Sequence, residues 1–260
     1  MPEQSSSASA FIVDAVRTAG GRCNGCISRW HPADLGAEVV NTLLMRNKVT
    51  GSLVDDVIFG CVSQIGAQAG NVGRNIVLSS ILPESVPGTT VDRACGSSQQ
   101  ALHFAAQAVM SGTQDIVIAG GVEIMSLVPI GSARDVRQAA GRGNASGKEM
   151  QARYPDKFSQ FDGAESLALE FNISKEEMEE FAVNSHRKAH EATASGRFRN
   201  EIIPIAGYDK KSNQNIEHER DEGIRWPIDI AKLKSLPTIT PKEDLLLPLL
   251  LRYVMEHQQY

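Results

Sequence analysis

Val91-Asp92-Arg93-Ala94-Cys95-Gly96-Ser97-Ser98-Gln99-Gln100-Ala101 joins two kinds of pattern at one cysteine. Residues 86–91 read as a strand that stops at a small-residue turn. Residues 97–110 read as a helix that begins at once. Cys95 therefore sits at a strand-to-helix junction. There it faces unpaired backbone N–H groups and the positive end of a helix dipole, and both favour thiolate over thiol. The thiolate is the nucleophilic form, so a covalent acyl-transfer enzyme would place its cysteine at such a junction. A lone cysteine in a turn is more often a small buried apolar residue. Here Gly96, Ser97 and Ser98 leave the approach to sulfur open, which a packed turn does not need.

Working outward, residues 1–121 alternate strand and helix. Residues 11–16 read as a short strand, followed by a glycine-rich loop. Residues 32–45 carry Leu35, Val39, Val40 and Leu43 at helical spacing, with Pro32 suited to a first turn. Residues 57–62 form a compact apolar strand pattern. Residues 71–82 predict a helix stopped by Pro83. Asp115-Ile116-Val117-Ile118-Ala119-Gly120-Gly121 is the cleanest buried strand. This rhythm predicts an α/β fold, a sheet between helices.

After Gly121 the texture changes. Residues 122–163 are rich in Gly, Ser, Gln and Arg and hold no sustained period. A long helix then starts at Ser174, which has capping-box spacing to Glu177. Met178, Phe181, Ala182, Ser185 and Ala189 are expected to line its buried face. His186 and His190 stand one turn apart, but no third ligand is placed beside them, so a solvated face is the expectation and no metal site is assigned. Residues 202–216 read as a strand and hairpin region. Residues 122–244 thus form a second, looser α/β unit inserted after a strand. Residues 245–260 fit neither unit.

The composition bounds the function. The chain has 260 residues, 42% hydrophobic and 22% charged, with a formal net charge of -5. That is enough apolar material for a core, and the acidic balance argues against a general nucleic-acid binder. Four cysteines are too few for a disulfide-stapled scaffold. Cys23-Asn24-Gly25-Cys26 has no second pair to complete a zinc site and does not open a helix, so both are read as incidental loop cysteines. Residues 1–10 show no targeting pattern, and the apolar run 245–251 is too short to span a bilayer. A cytoplasmic protein with no membrane or nucleic-acid partner is the expectation, with a mitochondrial or a peroxisomal one as the alternatives.

Several ordered motifs then carry a family resemblance. Asp14-Ala15-Val16-Arg17-Thr18 with Gly20-Gly21-Arg22, Ala33-Asp34-Leu35-Gly36-Ala37, Gly70-Asn71-Val72-Gly73-Arg74, residues 91–101, and Ala119-Gly120-Gly121-Val122-Glu123-Ile124-Met125-Ser126 come first. Phe158-Ser159-Gln160-Phe161-Asp162-Gly163-Ala164-Glu165 and Asp221-Glu222-Gly223-Ile224-Arg225 follow. Together the stretch from about residue 11 to 244 resembles the thiolases, the 3-ketoacyl-CoA and acetoacetyl-CoA acyltransferases. The resemblance implies a thiolase-like N-terminal α/β half over 1–121, with a mixed sheet between helices and the nucleophile Cys95. It implies a loop domain covering coenzyme A over 122–244, and a tail over 245–260 that does not match the family.

It also implies an acyltransferase of fatty-acid β-oxidation type that works through an acyl-Cys95 thioester, with coenzyme A as substrate and no cofactor. Arg225, Phe161 and Asp162 would lie against coenzyme A, Arg225 because a guanidinium suits phosphate. Residues 70–74 resemble the segment thiolases use between subunits, which implies a homo-oligomer or a heterodimer with a full-length thiolase.

The pattern is incomplete. No histidine here stands in a Gly-His-Pro motif, the family's activating base, and no Cys-x-Gly-Gly-Gly motif exists. The expectation is a chain lacking the family's C-terminal half and impaired by itself. Without that half, the sheet would keep an unpaired edge and the 97–110 helix an exposed apolar face. The alternative is a non-catalytic thiolase paralogue that dimerises with and regulates a complete one. A ketoacyl synthase also uses a cysteine at a helix start, but the 122–244 unit favours a thiolase.

Overall fold

The computed structural model describes residues 8–156 and 158–236. In chain order the elements are β1 (Arg17–Thr18), α1 (Pro32–Asn47), β2 (Asp56–Gly60), α2 (Val72–Ser79), β3 (Gly88–Val91), α3 (Ser97–Met110), β4 (Val117–Gly121) and α4 (Ser132–Ala139). Then come α5 (Lys148–Arg153), α6 (Gln160–Glu170), α7 (Lys175–Ala194), β5 (Ile202–Ile203), β6 (Ile205–Asp209), β7 (Gln214–His218) and α8 (Ile230–Lys234). The described residues fall into two compact units, one of residues up to 135 with 199–220, the other of residues 136–198 with those from 221 on. The tail 245–260 lies outside the described residues.

The first unit is built on a parallel sheet of order β3-β2-β4. Val57 pairs with Gly88 on one side and Ile118 on the other. β2 is therefore buried on both faces, as its unbroken apolar run requires. Val57 and Phe59 enter the main core with Val40, Leu44, Val72, Ile76 and Val77 of α1 and α2. Ile58 points the other way, to Ala101 and Ala105 of α3. The result is three layers: α1 and α2, the sheet, and α3. On its outward side α3 leaves Leu102, Phe104 and Met110 exposed.

Local chemistry sets the helix limits. His31 caps α1, its Nδ1 accepting from the Ala33 N–H, and Lys48 ends the helix in a left-handed conformation. Asn71 caps α2 by accepting from the Arg74 N–H. α2 stops at Ser79, three residues before the predicted end. The Ser80 hydroxyl donates to the Val77 carbonyl and accepts from the Leu82 N–H, a local alternative to another helical turn.

Residues 11–16 are not a strand, contrary to the sequence expectation. Phe11 is 84% and Val13 83% exposed. The strand is only Arg17–Thr18, paired in parallel with Ile202–Ile203. The residues just before Ile202 form a turn, and Pro204 follows Ile203, so the ladder cannot lengthen in either direction. An alternating apolar pattern needs a neighbour, and none lies beside it among the described residues. β6 and β7 form an antiparallel hairpin, the only antiparallel pairing described. Trp30 Nε1 donates to the Ala206 carbonyl and the Tyr208 N–H to that of Cys26, tying the 23–30 loop to this hairpin.

The second unit is helical where described, apart from connecting segments. Residues 132–153, which show no sustained period, form the short helices α4 and α5. α7 begins with the expected capping box at Ser174 and Glu177. Its buried residues are Glu179 and Ala182, whereas Phe181 is 69% exposed. The buried face is thus rotated by about one residue from the expected one. Among the described residues no helix is long and apolar enough to cross a membrane.

Candidate active site

Cys95 occupies the turn between β3 and α3, just beyond the carboxyl end of a parallel strand. Open α/β sheets place their ligand sites at these ends. The turn is tightly fastened. The Ala94 N–H donates to Asp92 Oδ1 at 2.9 Å. The Gly96 N–H donates to the Arg93 carbonyl and the Ser97 N–H to that of Ala94. The Ser97 hydroxyl donates to the Ala94 carbonyl at 2.6 Å and accepts from the Arg93 N–H at 2.8 Å. Ala94 takes φ +45°, a left-handed conformation that costs a non-glycine residue roughly 1–2 kcal/mol.

The strained turn leaves Cys95 exposed directly before the helix N-cap, Gly96. No side chain caps α3. With the Gly96 and Ser97 N–H groups spent on the Arg93 and Ala94 carbonyls, what this end of α3 offers is its dipole and the N–H groups of Ser98 and Gln99. Gly60 makes this placement possible. A Cβ there would run into the backbone of Ser97 and Ser98, so only glycine lets β2 end against the start of α3.

Two residues that sequence reading did not single out brace the neighbouring loops. Glu123 Oε1 accepts from the N–H groups of Val62 and Ser63 at 2.7 and 3.0 Å. Gln68, fully buried, donates to the Ser63 carbonyl and accepts from the Ile124 N–H. Together they lock the loop after β2 to the loop after β4. Glu123 stood inside a quoted motif, but nothing in a linear reading tells which backbone groups a carboxylate will meet.

Beside them lies Cys61, buried. Burial foremost, and then the Glu123 carboxylate, push its thiol up to about 12, so it stays neutral and unreactive. Cys23 and Cys26 lie in the loop tied to the hairpin and share no disulfide. Of the four cysteines, Cys95 alone is exposed.

Two of the three described histidines of this unit have partners of their own, and the third is exposed on a helix face. His31 caps α1, His103 stands on the exposed side of α3, and buried His218 places Nε2 3.1 Å from the Ala19 carbonyl oxygen.

In the second unit, the residues expected at coenzyme A lie on α6 and on the loop before α8. Phe161 is partly buried and Asp162 exposed, both in the first turn of α6. Asp162 donates its N–H to the capping Ser159 hydroxyl. Arg225 is half-buried, and its N–H donates to His186 Nδ1 at 3.3 Å. His190 stacks on Trp226, ring centroids 6.2 Å apart. The two histidines thus brace the Arg225-Trp226 loop against α7, which gives each a role other than metal binding.

Burial and then the Arg225 charge lower the His186 pKa. The unfolded chain then binds the proton more readily than the folded one. Stability is retained above the unfolded value of about 6.5 and declines as pH falls through it. We expect amide exchange in α7 to quicken as pH drops from about 7.5 to about 5.5, after correction for intrinsic rates. His186→Gln should flatten that response.

Comparison with known proteins assigns the chain to a family. Residues 10–243 match the family described as thiolase, N-terminal domain. The chain belongs to the thiolase family. It is 49% identical over 199 residues to the steroid 3-ketoacyl-CoA thiolase FadA6 of Mycobacterium tuberculosis, covering 75% of this chain and 49% of that one. It is 40% identical over 234 residues to a 3-ketoacyl-CoA thiolase of Marinobacter nauticus, covering 89% and 57%. A Pectobacterium carotovorum 3-ketoacyl-CoA thiolase is 41% identical over 233 residues, covering 88% and 58%. The chain spans about half the length of these curated relatives. Residues 91–101, with Cys95 directly before the α3 N-cap, lie within the matched stretch.

Proposed function

We propose that this chain supplies the nucleophile of a 3-ketoacyl-CoA thiolase. The observation that carries the reading is the exposed Cys95, held on a strained turn at an uncapped helix N-terminus. The Cys95 thiolate attacks the keto carbon of a 3-ketoacyl-CoA. The bond between that carbon and its α-carbon breaks, and the α-carbon leaves as acetyl-CoA after taking a proton. The acyl group stays on sulfur as a thioester until a second coenzyme A thiolate collects it and frees Cys95. Splitting the transfer in two replaces one difficult step by two easier ones. Run in reverse, the same steps condense two acyl-CoA molecules.

Within the 260 residues there is no Gly-His-Pro histidine to take the thiol proton and no Cys-x-Gly-Gly-Gly cysteine to serve the α-carbon. General acid–base assistance contributes on the order of 10²–10⁴ in rate. The chain by itself should therefore turn over that much more slowly than a complete thiolase.

A second reading is a non-catalytic subunit that pairs with a complete thiolase, supported by the resemblance of residues 70–74 to the segment thiolases use between subunits. Native mass and activity of a mixture discriminate the two: a mixed dimer with lowered activity supports the regulatory reading.

Iodoacetamide trapping tests the site itself. Near neutral pH, peptide mass spectrometry should find the Cys95 adduct well ahead of those at Cys23, Cys26 and Cys61. Uniform labelling would refute the nucleophile assignment. Linear and ring-bearing 3-ketoacyl-CoA thioesters, the latter suggested by the name of the Mycobacterium relative, would define the acyl group once the base is supplied.

A further inference from the structure

We propose that Ser97 is a positioning residue for Cys95, resting on the nucleophile reading above. Its side chain is 4% exposed, and its hydroxyl spends both hydrogen-bonding roles on the backbone just ahead of the cysteine. It accepts from the Arg93 N–H at 2.8 Å and donates to the Ala94 carbonyl at 2.6 Å. Arg93 and Ala94 precede Cys95, and Ser97 follows it by two residues. The hydroxyl therefore closes the loop across the sulfur-bearing residue.

That closure matters because Ala94 sits at φ +45°, a conformation it would leave if the restraint were lifted. Relaxation of Ala94 rotates the following peptide and swings the Cys95 side chain away from the α3 N-terminus. A carboxylate or ammonium could not replace the hydroxyl, since the site needs one donor and one acceptor on the same atom. The Asp92 carboxylate fastens only the Ala94 N–H, and the remaining turn bonds run between backbone groups. Neighbouring Ser98 is exposed, and its hydroxyl makes no hydrogen bond among the described residues.

The test compares the full 260-residue chain with Ser97→Ala, Ser97→Thr and Ser98→Ala. The readouts are the rate of iodoacetamide alkylation at Cys95, located by mass spectrometry, and residue-level amide exchange. Ångström-scale misplacement of a reacting group costs on the order of 10²-fold, so Ser97→Ala should slow Cys95 by about tenfold or more. Ser97→Thr, which keeps the hydroxyl, should recover most of the rate, and Ser98→Ala should match the parent. Exchange at Arg93 should rise in Ser97→Ala while β2 stays protected.

An unchanged Cys95 rate in Ser97→Ala overturns the proposal, as does a threonine variant as slow as the alanine one. Loss of protection in β2 as well overturns it too, because the effect would then be global. A parent Cys95 no faster than Cys23 or Cys26 refutes the nucleophile reading itself. A poised parent indifferent to Ser97→Ala refutes only the positioning role.

Discussion

Cys95→Ser is expected to abolish the adduct that forms near neutral pH, and to lower acyl transfer in a reconstituted enzyme by on the order of 10⁴-fold or more, in line with nucleophile losses in other covalent enzymes. A serine hydroxyl is a far weaker nucleophile than a cysteine sulfur, and the helix N-terminus stabilises only charge that forms. The remaining thiols do not substitute. Cys61 is buried and pushed up to about 12, and Cys23 and Cys26 lie in the loop tied to the hairpin. The check is acyl-adduct mass after exposure to a 3-ketoacyl-CoA, with Cys61→Ser as control. An adduct surviving at full yield in Cys95→Ser would overturn the assignment, whereas its survival in Cys61→Ser is the expected result.

Ile76→Ala is the stability change with the largest expected effect. Ile76 is fully buried where α2 crosses α1, and a Cβ on Gly36 would strike its side chain. The two helices thus meet with an isoleucine seated on a glycine, which has no side chain of its own to fill a void. Truncation of a buried isoleucine costs about 2–5 kcal/mol, and the upper half of that range is expected here. Against a typical 5–15 kcal/mol for a folded domain this is a large fraction. Urea unfolding followed by circular dichroism should show the midpoint fall with little change in slope. A loss below about 1 kcal/mol would mean that α1 and α2 close the gap.

α1 and α3 were legible in the sequence because helix signals are local: a periodic apolar face, Pro32 at a first turn, a small-residue turn before Ser97. The same holds for the Ser174 cap of α7, where donor and acceptor are three residues apart. Residues 11–16 were misread because alternation states only that a strand would suit them, while the partner is decided elsewhere, by the turn before Ile202 and by Pro204. The α7 face was misread at Phe181 because burial there includes Glu179, which apolar periodicity alone does not count.

The sequence by itself determined the family and the strand-to-helix junction that carries Cys95, since a strand, a small turn and a helix around it follow from neighbours within a few residues. Only the tertiary structure decided what holds that cysteine. The closure by Ser97, the fit of Gly60 beneath α3, and the bracing of the β2 and β4 loops by Glu123 and Gln68 all depend on how strand ends and loops meet in space. Hydrogen bonds and close packing are set by distance in three dimensions, and a linear sequence does not carry that distance once the chain has turned back on itself.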